Sequence, residues 1–244
     1  FDFEKRSVDH FKTTIVSLIF LASISLWGNR PNVLFIAIDD MNDWAGCLGG
    51  HPQGYTPNID RLAERGALFT NAHCQAPICN PSRASVMYGL RPSTSGIYQN
   101  GPQPWTAADI RAQVTLPRWF ARHGYRTAGT GKLYHGSKLP PGDFEVVGPR
   151  PGQRLKELDR RIRNDLPMGA NSLWDFGAQT YDESLFQDHL DTTWAIAQLD
   201  EMDERPFFLA VGYYRPHVPF YAPERIYEEL TFEKAEVPPF KADD

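Results

Sequence analysis

Two features are scarce in this sequence, and each scarcity excludes a class of protein. Only three of the 244 residues are cysteine, which is too few for a fold held together by disulfide bonds. Basic residues are not in excess, since 25 Lys and Arg stand against 30 Asp and Glu. The net charge of −5 argues against a nucleic-acid binder, which needs a basic surface against phosphate. The content of 41% hydrophobic and 23% charged residues is near that of globular proteins and excludes both wholesale disorder and a multi-span membrane protein.

The longest uncharged apolar run lies near the N-terminus and predicts a targeting segment. It covers Thr13–Trp27, follows three basic residues and ends among small ones. This order is typical of a secretory signal peptide, which we assign to residues 1–28. About 15 residues is short for a membrane span, although an uncleaved anchor and a buried helix remain alternatives. Export predicts a periplasmic or extracellular protein, or a lysosomal one in a eukaryote, without a stable membrane partner.

Strand-like and helix-like segments alternate after the targeting segment and predict an α/β fold. Val33–Ile38 and Phe207–Tyr213 are unbroken apolar runs, the pattern of strands buried on both faces of a parallel sheet. Tyr125–Gly129 predicts another strand, and Ala67–Ala72 a short extended piece. Helices are predicted at residues 57–65, 81–88, 116–123 and 186–202. Arg150 to Arg163 is a basic run that fits either a solvated helix face or the rim of a site for an anionic substrate.

Two adjacent carboxylates, Asp39 and Asp40, come directly after the first predicted strand. Neighbouring carboxylates repel each other unless a cation or a base lies between them. Their hard oxygen atoms suit Ca²⁺ or Mg²⁺, and ligands of open α/β sheets gather at the carboxyl ends of the strands. The pair therefore predicts a divalent-cation site. A solvated turn with an Asp helix cap fits the same residues.

The segment CNPSR places Cys79 at the start of a predicted helix, with Arg83 one turn further on. The positive end of the helix and the guanidinium would both favour a thiolate. By ordinary thiol chemistry, Cys79 is therefore predicted to be a nucleophile of low pKa. A buried structural cysteine is the alternative.

Two further segments carry side chains that suit a tetrahedral anion. GKLYH contains Lys132, a compact positive charge, and His135, which can move protons near neutral pH. GYYRPHVPF follows the second apolar strand, so His217 is expected at the same sheet edge as Asp39. The alternatives are a surface Lys–His pair and a rigid loop histidine without a chemical task.

These motifs, in this order, resemble those of the type I sulfatases of the alkaline phosphatase superfamily. The two residues between Lys132 and His135, and the form GYYRPHVPF, resemble the iduronate-2-sulfatase branch most. The resemblance implies an alkaline-phosphatase-like sheet flanked by helices and incomplete at its C-terminal side. It also implies hydrolysis of a sulfate ester, on a sulfated carbohydrate such as a glycosaminoglycan or an algal polysaccharide.

The resemblance also implies how the nucleophile is made and held. Asp39, Asp40 and Cys79 would bind the cation, with Ca²⁺ favoured over Mg²⁺. A formylglycine-generating enzyme or a sulfatase maturase would oxidise Cys79 to formylglycine, whose hydrate attacks sulfur. Arg83 would hold the formylglycine and offset its negative charge.

The same resemblance assigns the sulfate-facing residues. Lys132, His135 and His217 would grip the sulfate oxygens. His135 is the candidate to take the proton that is released when sulfate is expelled and the aldehyde returns. These charges would neutralise the reacting centre, as the chemistry requires.

The sequence departs from the family pattern in two places. Tyr88 stands where the family usually has Thr, and no segment after Phe220 matches the family's second metal-ligand motif or its further sulfate-binding lysine. We therefore expect residues 29–244 to be the N-terminal part of a sulfatase catalytic domain, with little or no activity of its own. Nothing in the sequence decides whether Cys47 and Cys74 pair.

Three other functions fit the sequence. A phosphodiester or phosphonate ester hydrolase shares the fold and the formylglycine. An inactive fragment would at most bind sulfated glycans. A generic exported α/β domain would carry neither the metal nor the modification.

Overall fold

The computed structural model describes residues 30–136, 138–149, 175–229 and 231–237. The predicted signal peptide and the whole basic run from 150 to 163 lie outside the described residues. From Leu34 onward the described residues belong to one compact unit, and of the unit before it, Phe1–Val33, only residues 30–33 are described.

The described strands form one main sheet and one small sheet. In chain order they are β1 (Val33–Ile38), β2 (Arg126–Gly131), β3 (Val146–Val147), β4 (Phe176–Gln179), β5 (Phe207–Tyr213) and β6 (Phe220–Pro223). The main sheet has the order β1-β5-β2-β3, and β2 runs parallel to both β3 and β5. β4 and β6 pair in parallel beside it. An α/β fold with a parallel sheet is thereby confirmed.

Among the described residues, six α-helices connect or cover these strands. They are α1 (Pro57–Glu64), α2 (Cys79–Tyr88), α3 (Pro92–Ser95), α4 (Leu116–Arg122), α5 (Gln187–Asp200) and α6 (Glu224–Glu229). Short 3₁₀ turns lie at Gly46–Leu48, Pro104–Thr106, Glu183–Leu185 and Phe232–Lys234. The part of the chain that the structure describes contains no helix with the length and apolar character that crossing a membrane requires.

The core lies around β5, which is covered on both faces. Leu209 and Val211 pack with Ala195 of α5, while Phe208 points to the other face and stacks on Phe120 of α4 at 4.4 Å between ring centroids. Side chains alternate across a strand, so a strand covered by helices on both faces must be apolar at every position. This packing explains the unbroken apolar run in the sequence.

The predicted elements match the structure with three corrections. Both long apolar runs are strands with the predicted bounds, but Leu34 and Ile36 of β1 remain about half exposed (50% and 47%), so β1 is not buried on both faces. Among the described residues β1 ends the sheet, with a neighbour on one side only. The extended piece predicted at 67–72 is wrong: these residues are exposed and pair with no described strand. The helix predicted from Pro81 begins two residues earlier, at Cys79.

Candidate active site

The start of α2 brings Cys79 and Arg83 to the carboxyl edge of the main sheet. Ile78 is extended, Cys79 begins the helix, and the left-handed Gly89 ends it at φ +66°. Asn80 is buried, and its Nδ2 donates hydrogen bonds of 2.9 Å to the carbonyls of Gln99 and Pro102. The side chain after Cys79 therefore fixes the helix start against the neighbouring loop.

Asp39, directly after β1, lies at the centre of a polar cluster that also contains Cys79, Arg83 and Lys132. It is buried, Arg83 Nη2 lies 2.7 Å from its Oδ1, and the Lys132 ammonium forms an ion pair with Oδ2. Burial alone would raise the pKa of this carboxyl, but the two cations outweigh it and hold the pKa below the ordinary value. Asp40 has a positive φ of 58° and an exposed side chain. The two carboxylates are thus separated, one inside the cluster and one at its mouth.

The thiol of Cys79 is not activated. Burial raises its pKa, and the carboxylates of Asp39 and Asp40 add to the rise, while Lys132 and Arg83 oppose it. The thiolate predicted from the helix end and the arginine is therefore wrong for the encoded cysteine, because desolvation outweighs both charges. The cysteine stays protonated at neutral pH and is a weak nucleophile.

Lys132 follows β2 and points into the cluster rather than to the surface. Its side chain is buried, and its Nζ lies 3.9 Å from Cys79 Sγ. Arg83 also donates to the backbone carbonyl of Lys132. Gly131 has a φ of +75°, and a Cβ there would clash with the carbonyl of Gly212 on β5. Only glycine lets the chain turn here and deliver the lysine.

His135 lies three residues further along the same segment. Its backbone carbonyl accepts a hydrogen bond of 3.0 Å from Gln103 Nε2, and its buried Nδ1 has no hydrogen-bond partner among the described residues. Burial lowers its pKa, and the charges of Lys132 and Arg83 lower it further. The imidazole is therefore neutral at pH 7 and able to accept a proton.

His217 lies in the loop between β5 and β6, at the same sheet edge as Asp39. Its Nδ1 is 2.6 Å from the carbonyl of Val218, which assigns the ring proton to Nδ1. Its Nε2 then faces the carboxylates, 4.0 Å from Asp39 Oδ2 and 3.8 Å from Asp40 Oδ2. The contact with the Val218 carbonyl thereby orients the His217 ring so that Nε2 faces the cluster.

One group of side chains is spaced to hold a metal ion. The ligand atoms of Asp39, Cys79 and His217 lie within 4.8 Å of one another. Oxygen, sulfur and nitrogen together suit a softer ion such as Zn²⁺, whereas an oxygen in place of the sulfur would suit Ca²⁺. The encoded residues therefore fit a cation, and the chemical state of residue 79 decides which. The sequence grouped Asp40 with the ligands and His217 with the substrate, while the structure places both beside Asp39.

Two contributors were not predicted from the sequence. Tyr214 lies within the motif GYYRPHVPF, and its ring lies 4.5 Å from Lys132 Nζ and 4.8 Å from the His217 ring. Asp188 in α5 accepts hydrogen bonds from two backbone amides of the β5–β6 loop. Tyr214 could have been found by its place in the motif, whereas no sequence signal marks Asp188.

The cluster opens into a cavity of about 450 Å³. Apolar side chains from β1 and α2 line one wall, and the polar wall is formed by Asp39, Asp40, Cys79 and Arg83. The parallel sheet with its helices, and the buried lysine at its carboxyl edge, are features of an alkaline-phosphatase-like α/β protein. The chain belongs to the sulfatase family, because the family model described as Sulfatase matches residues 31–237.

Comparison with known proteins supports membership of the sulfatase family. A sulfatase from Formosa agariphila is 36% identical over 228 residues, which cover 88% of this chain and 45% of the relative. Human iduronate 2-sulfatase is 33% identical over 218 residues, covering 85% of this chain and 39% of the relative. The crystal structure of a phosphonate monoester hydrolase from Agrobacterium radiobacter has a TM-score of 0.65 and 26% identity, covering 85% of this chain and 45% of that one. The chain thus spans less than half the length of these relatives.

Proposed function

We propose that the protein hydrolyses a sulfate ester on a sulfated sugar, through formylglycine at position 79 and a bound Ca²⁺. The observation that carries the proposal is the convergence of Asp39, Arg83 and Lys132 on Cys79. A buried lysine 3.9 Å from the sulfur can hold an anion at residue 79, which a structural cysteine would not need. Membership of the sulfatase family makes sulfate the favoured anion, and the iduronate 2-sulfatase likeness favours a sugar.

The residues present divide the work as follows. Lys132 and His217 would bind the sulfate oxygens, and Lys132 would offset the charge that grows on them. Arg83 would hold residue 79 while keeping Asp39 ionised. His135, neutral at pH 7, would accept the proton that residue 79 gives up at the end of the cycle.

Two groups complete this arrangement. A cation held by Asp39, Asp40 and residue 79 would polarise the sulfate oxygens. A formylglycine hydrate at position 79 would supply a nucleophilic oxygen, which the protonated thiol cannot. The maturation partner proposed is a formylglycine-generating enzyme or a sulfatase maturase. The proposed setting is periplasmic or extracellular, or lysosomal in a eukaryote.

A second candidate function is hydrolysis of a phosphonate or phosphodiester. It is favoured by the likeness to the phosphonate monoester hydrolase, the structural relative with 26% identity described above. Lysine and histidine bind phosphate and sulfate alike, so the geometry supports both. The family match makes it the weaker candidate.

The test combines a mass measurement with paired assays. The Cys79 peptide of the chain, produced with a formylglycine-generating enzyme, is expected to lose the mass of thiol-to-aldehyde conversion. The converted chain is then assayed against 4-nitrophenyl sulfate and against a 4-nitrophenyl phosphonate ester. Cys79→Ala should remove both conversion and turnover, whereas Cys74→Ala, at the rim of the same cavity, should retain both.

Turnover separates the two candidate functions, and conversion of Cys79 tests the proposed nucleophile. Preferred turnover of the sulfate ester supports the proposal, and preferred turnover of the phosphonate supports the second candidate. Conversion without turnover matches the expectation that the chain alone is inactive. An unconverted Cys79 in cells that mature other sulfatases would overturn the proposal.

A further inference from the structure

The first turn of α5 holds the loop that carries His217, although α5 contributes no side chain to the cluster. Asp188 Oδ1 accepts a hydrogen bond of 2.8 Å from the backbone amide of Tyr214, and its Oδ2 accepts one of 2.9 Å from that of Arg215. Both oxygens of one carboxylate are thus used on two successive amides of the β5–β6 loop. We propose that Asp188 is a positioning residue for the sulfate-binding face of the site, an inference that rests on the proposed function.

The two amides that Asp188 holds belong to the residues that orient His217 and contact Lys132. The Tyr214 ring lies 4.8 Å from the His217 ring and 4.5 Å from Lys132 Nζ. Arg215 donates from Nη1 to the backbone carbonyl of His217 at 3.1 Å. A displacement of this backbone would therefore move the His217 ring and uncover the lysine.

Asp188 can hold the β5–β6 loop in one position because α5 is itself hydrogen-bonded to the strands that lead into the site. Asp191, one turn along, accepts a hydrogen bond of 2.6 Å from Thr130 Oγ1 of β2. The hydroxyl groups of Thr192 and Tyr213, on α5 and β5, lie 2.9 Å apart. The helix is thus tied to β2, which leads into Lys132, and to β5, which leads into His217.

A carboxylate is the group that this position requires. Two amides that point the same way need two acceptor oxygens, and an ionised carboxyl offers both. An asparagine would keep one oxygen and turn its own N–H₂ group towards the second amide, so that two donors would face each other. A glutamate would keep the charge but move both oxygens outward by one methylene group.

The test uses two variants of Asp188 and one control on the same helix. Asp188→Asn keeps the shape and loses the charge, while Asp188→Glu keeps the negative charge in the first turn of α5, where it favours the helix dipole. Asp200→Asn removes the same charge from the exposed last residue of α5. The readouts are the imidazole ¹⁵N signals of the seven histidines in the full chain and the affinity for inorganic sulfate.

Both Asp188 variants should shift the His217 signals, which His217→Gln assigns, while the signals of residues far from the loop, such as His73, stay in place. Sulfate affinity should fall about tenfold, the effect of losing one hydrogen bond to a charged group. Asp200→Asn should match the wild-type chain in both readouts.

The outcomes separate this inference from the proposed function. Unchanged His217 signals in Asp188→Glu, or a uniform shift of all histidines, would reduce Asp188 to a purely structural residue. If the wild-type chain neither binds sulfate nor turns over an ester, the proposed function fails. The His217 signals still decide the role of Asp188 in that case.

Discussion

The guanidinium of Arg83 lies 2.7 Å from the carboxylate of Asp39, and both side chains are buried. The same guanidinium donates to the backbone carbonyl of Lys132, so one side chain joins the start of α2 to the ends of β1 and β2. The arginine therefore holds the fold together at the place where the chemistry is proposed.

Replacing Arg83 by Met should destabilise the protein strongly. Breaking a buried ion pair from one side costs about 3–5 kcal/mol where the remaining charge is left unpaired. Lys132 still pairs with Asp39, so a loss at the lower end of this range is expected. Urea unfolding should show this loss, and Asp39→Asn in the same background should not recover it, because that change removes the carboxylate partner of the buried Lys132. Arg205→Met is the control, because the pairs of Arg205 with Glu145 and Asp203 are exposed, and water screens them so that their loss costs little. Equal losses in the two arginine variants would contradict the assignment.

Calcium should stabilise the converted chain, with formylglycine at position 79, against heat. A ligand that binds only the folded state adds about 2.7 kcal/mol at a hundred times its Kd, so the melting temperature should rise with Ca²⁺ and return after chelation. Asp40→Asn should weaken this response, because it removes a carboxylate from the mouth of the proposed site. Asp43→Asn changes the charge of a nearby exposed residue and should respond like the wild-type chain. A response that persists in Asp40→Asn would place the cation elsewhere.

Stability should depend on pH through Asp191. This carboxyl is fully buried, and burial raises its pKa to about 6 from 3.8. A raised carboxyl pKa stabilises the fold below pH 3.8, and that contribution is lost as the pH rises through 6. Asp191→Asn cannot ionise, so its free energy of unfolding relative to wild type should increase by up to about 3 kcal/mol between pH 4 and pH 7. Urea titrations at the two pH values measure the difference, and a pH-independent difference would refute it.

His135 should titrate at a lower pH than an ordinary histidine. Burial and the charges of Lys132 and Arg83 lower its pKa from 6.5, so the midpoint of its NMR titration should lie below that value. Lys132→Met removes one of these charges and should bring the midpoint back towards 6.5. His135→Gln identifies the signals. A His135 midpoint above 6.5 in the wild-type chain would show that the carboxylates dominate its surroundings.

The sequence predicted where the long strands lie better than it predicted how deeply they are buried. β5 could be located because a short unbroken apolar run between polar segments is typical of a buried strand, and the same pattern located β1. It could not show that Leu34 and Ile36 stay half exposed, because the apolar run is identical in an edge strand and a central one. The short apolar stretch around Phe69 was too brief to separate a strand from an irregular segment, and in the structure Phe69 is 78% exposed.

The motifs predicted which residues belong to the site, but they could not show how those residues are arranged in space. Cys79, Lys132 and His217 stand in three segments, and only the strand order brings those segments to one edge. The pKa of Cys79 was predicted in the wrong direction, because a sequence shows neighbouring charges but not desolvation. No sequence pattern marked Asp188 as a site residue, because its hydrogen-bond partners are backbone amides, which every residue except proline carries.

The strand order also dictates when the site can form during synthesis. β5 lies between β1 and β2 in the sheet, yet it comes after both in the chain. A nascent chain that has left the ribosome as far as residue 200 therefore carries β1 and β2 without the strand that joins them. Such long-range pairing is slow, and the partly made sheet exposes apolar edges meanwhile. The proposed conversion of Cys79 would thus meet an accessible chain before β5 arrives and closes the fold around this residue.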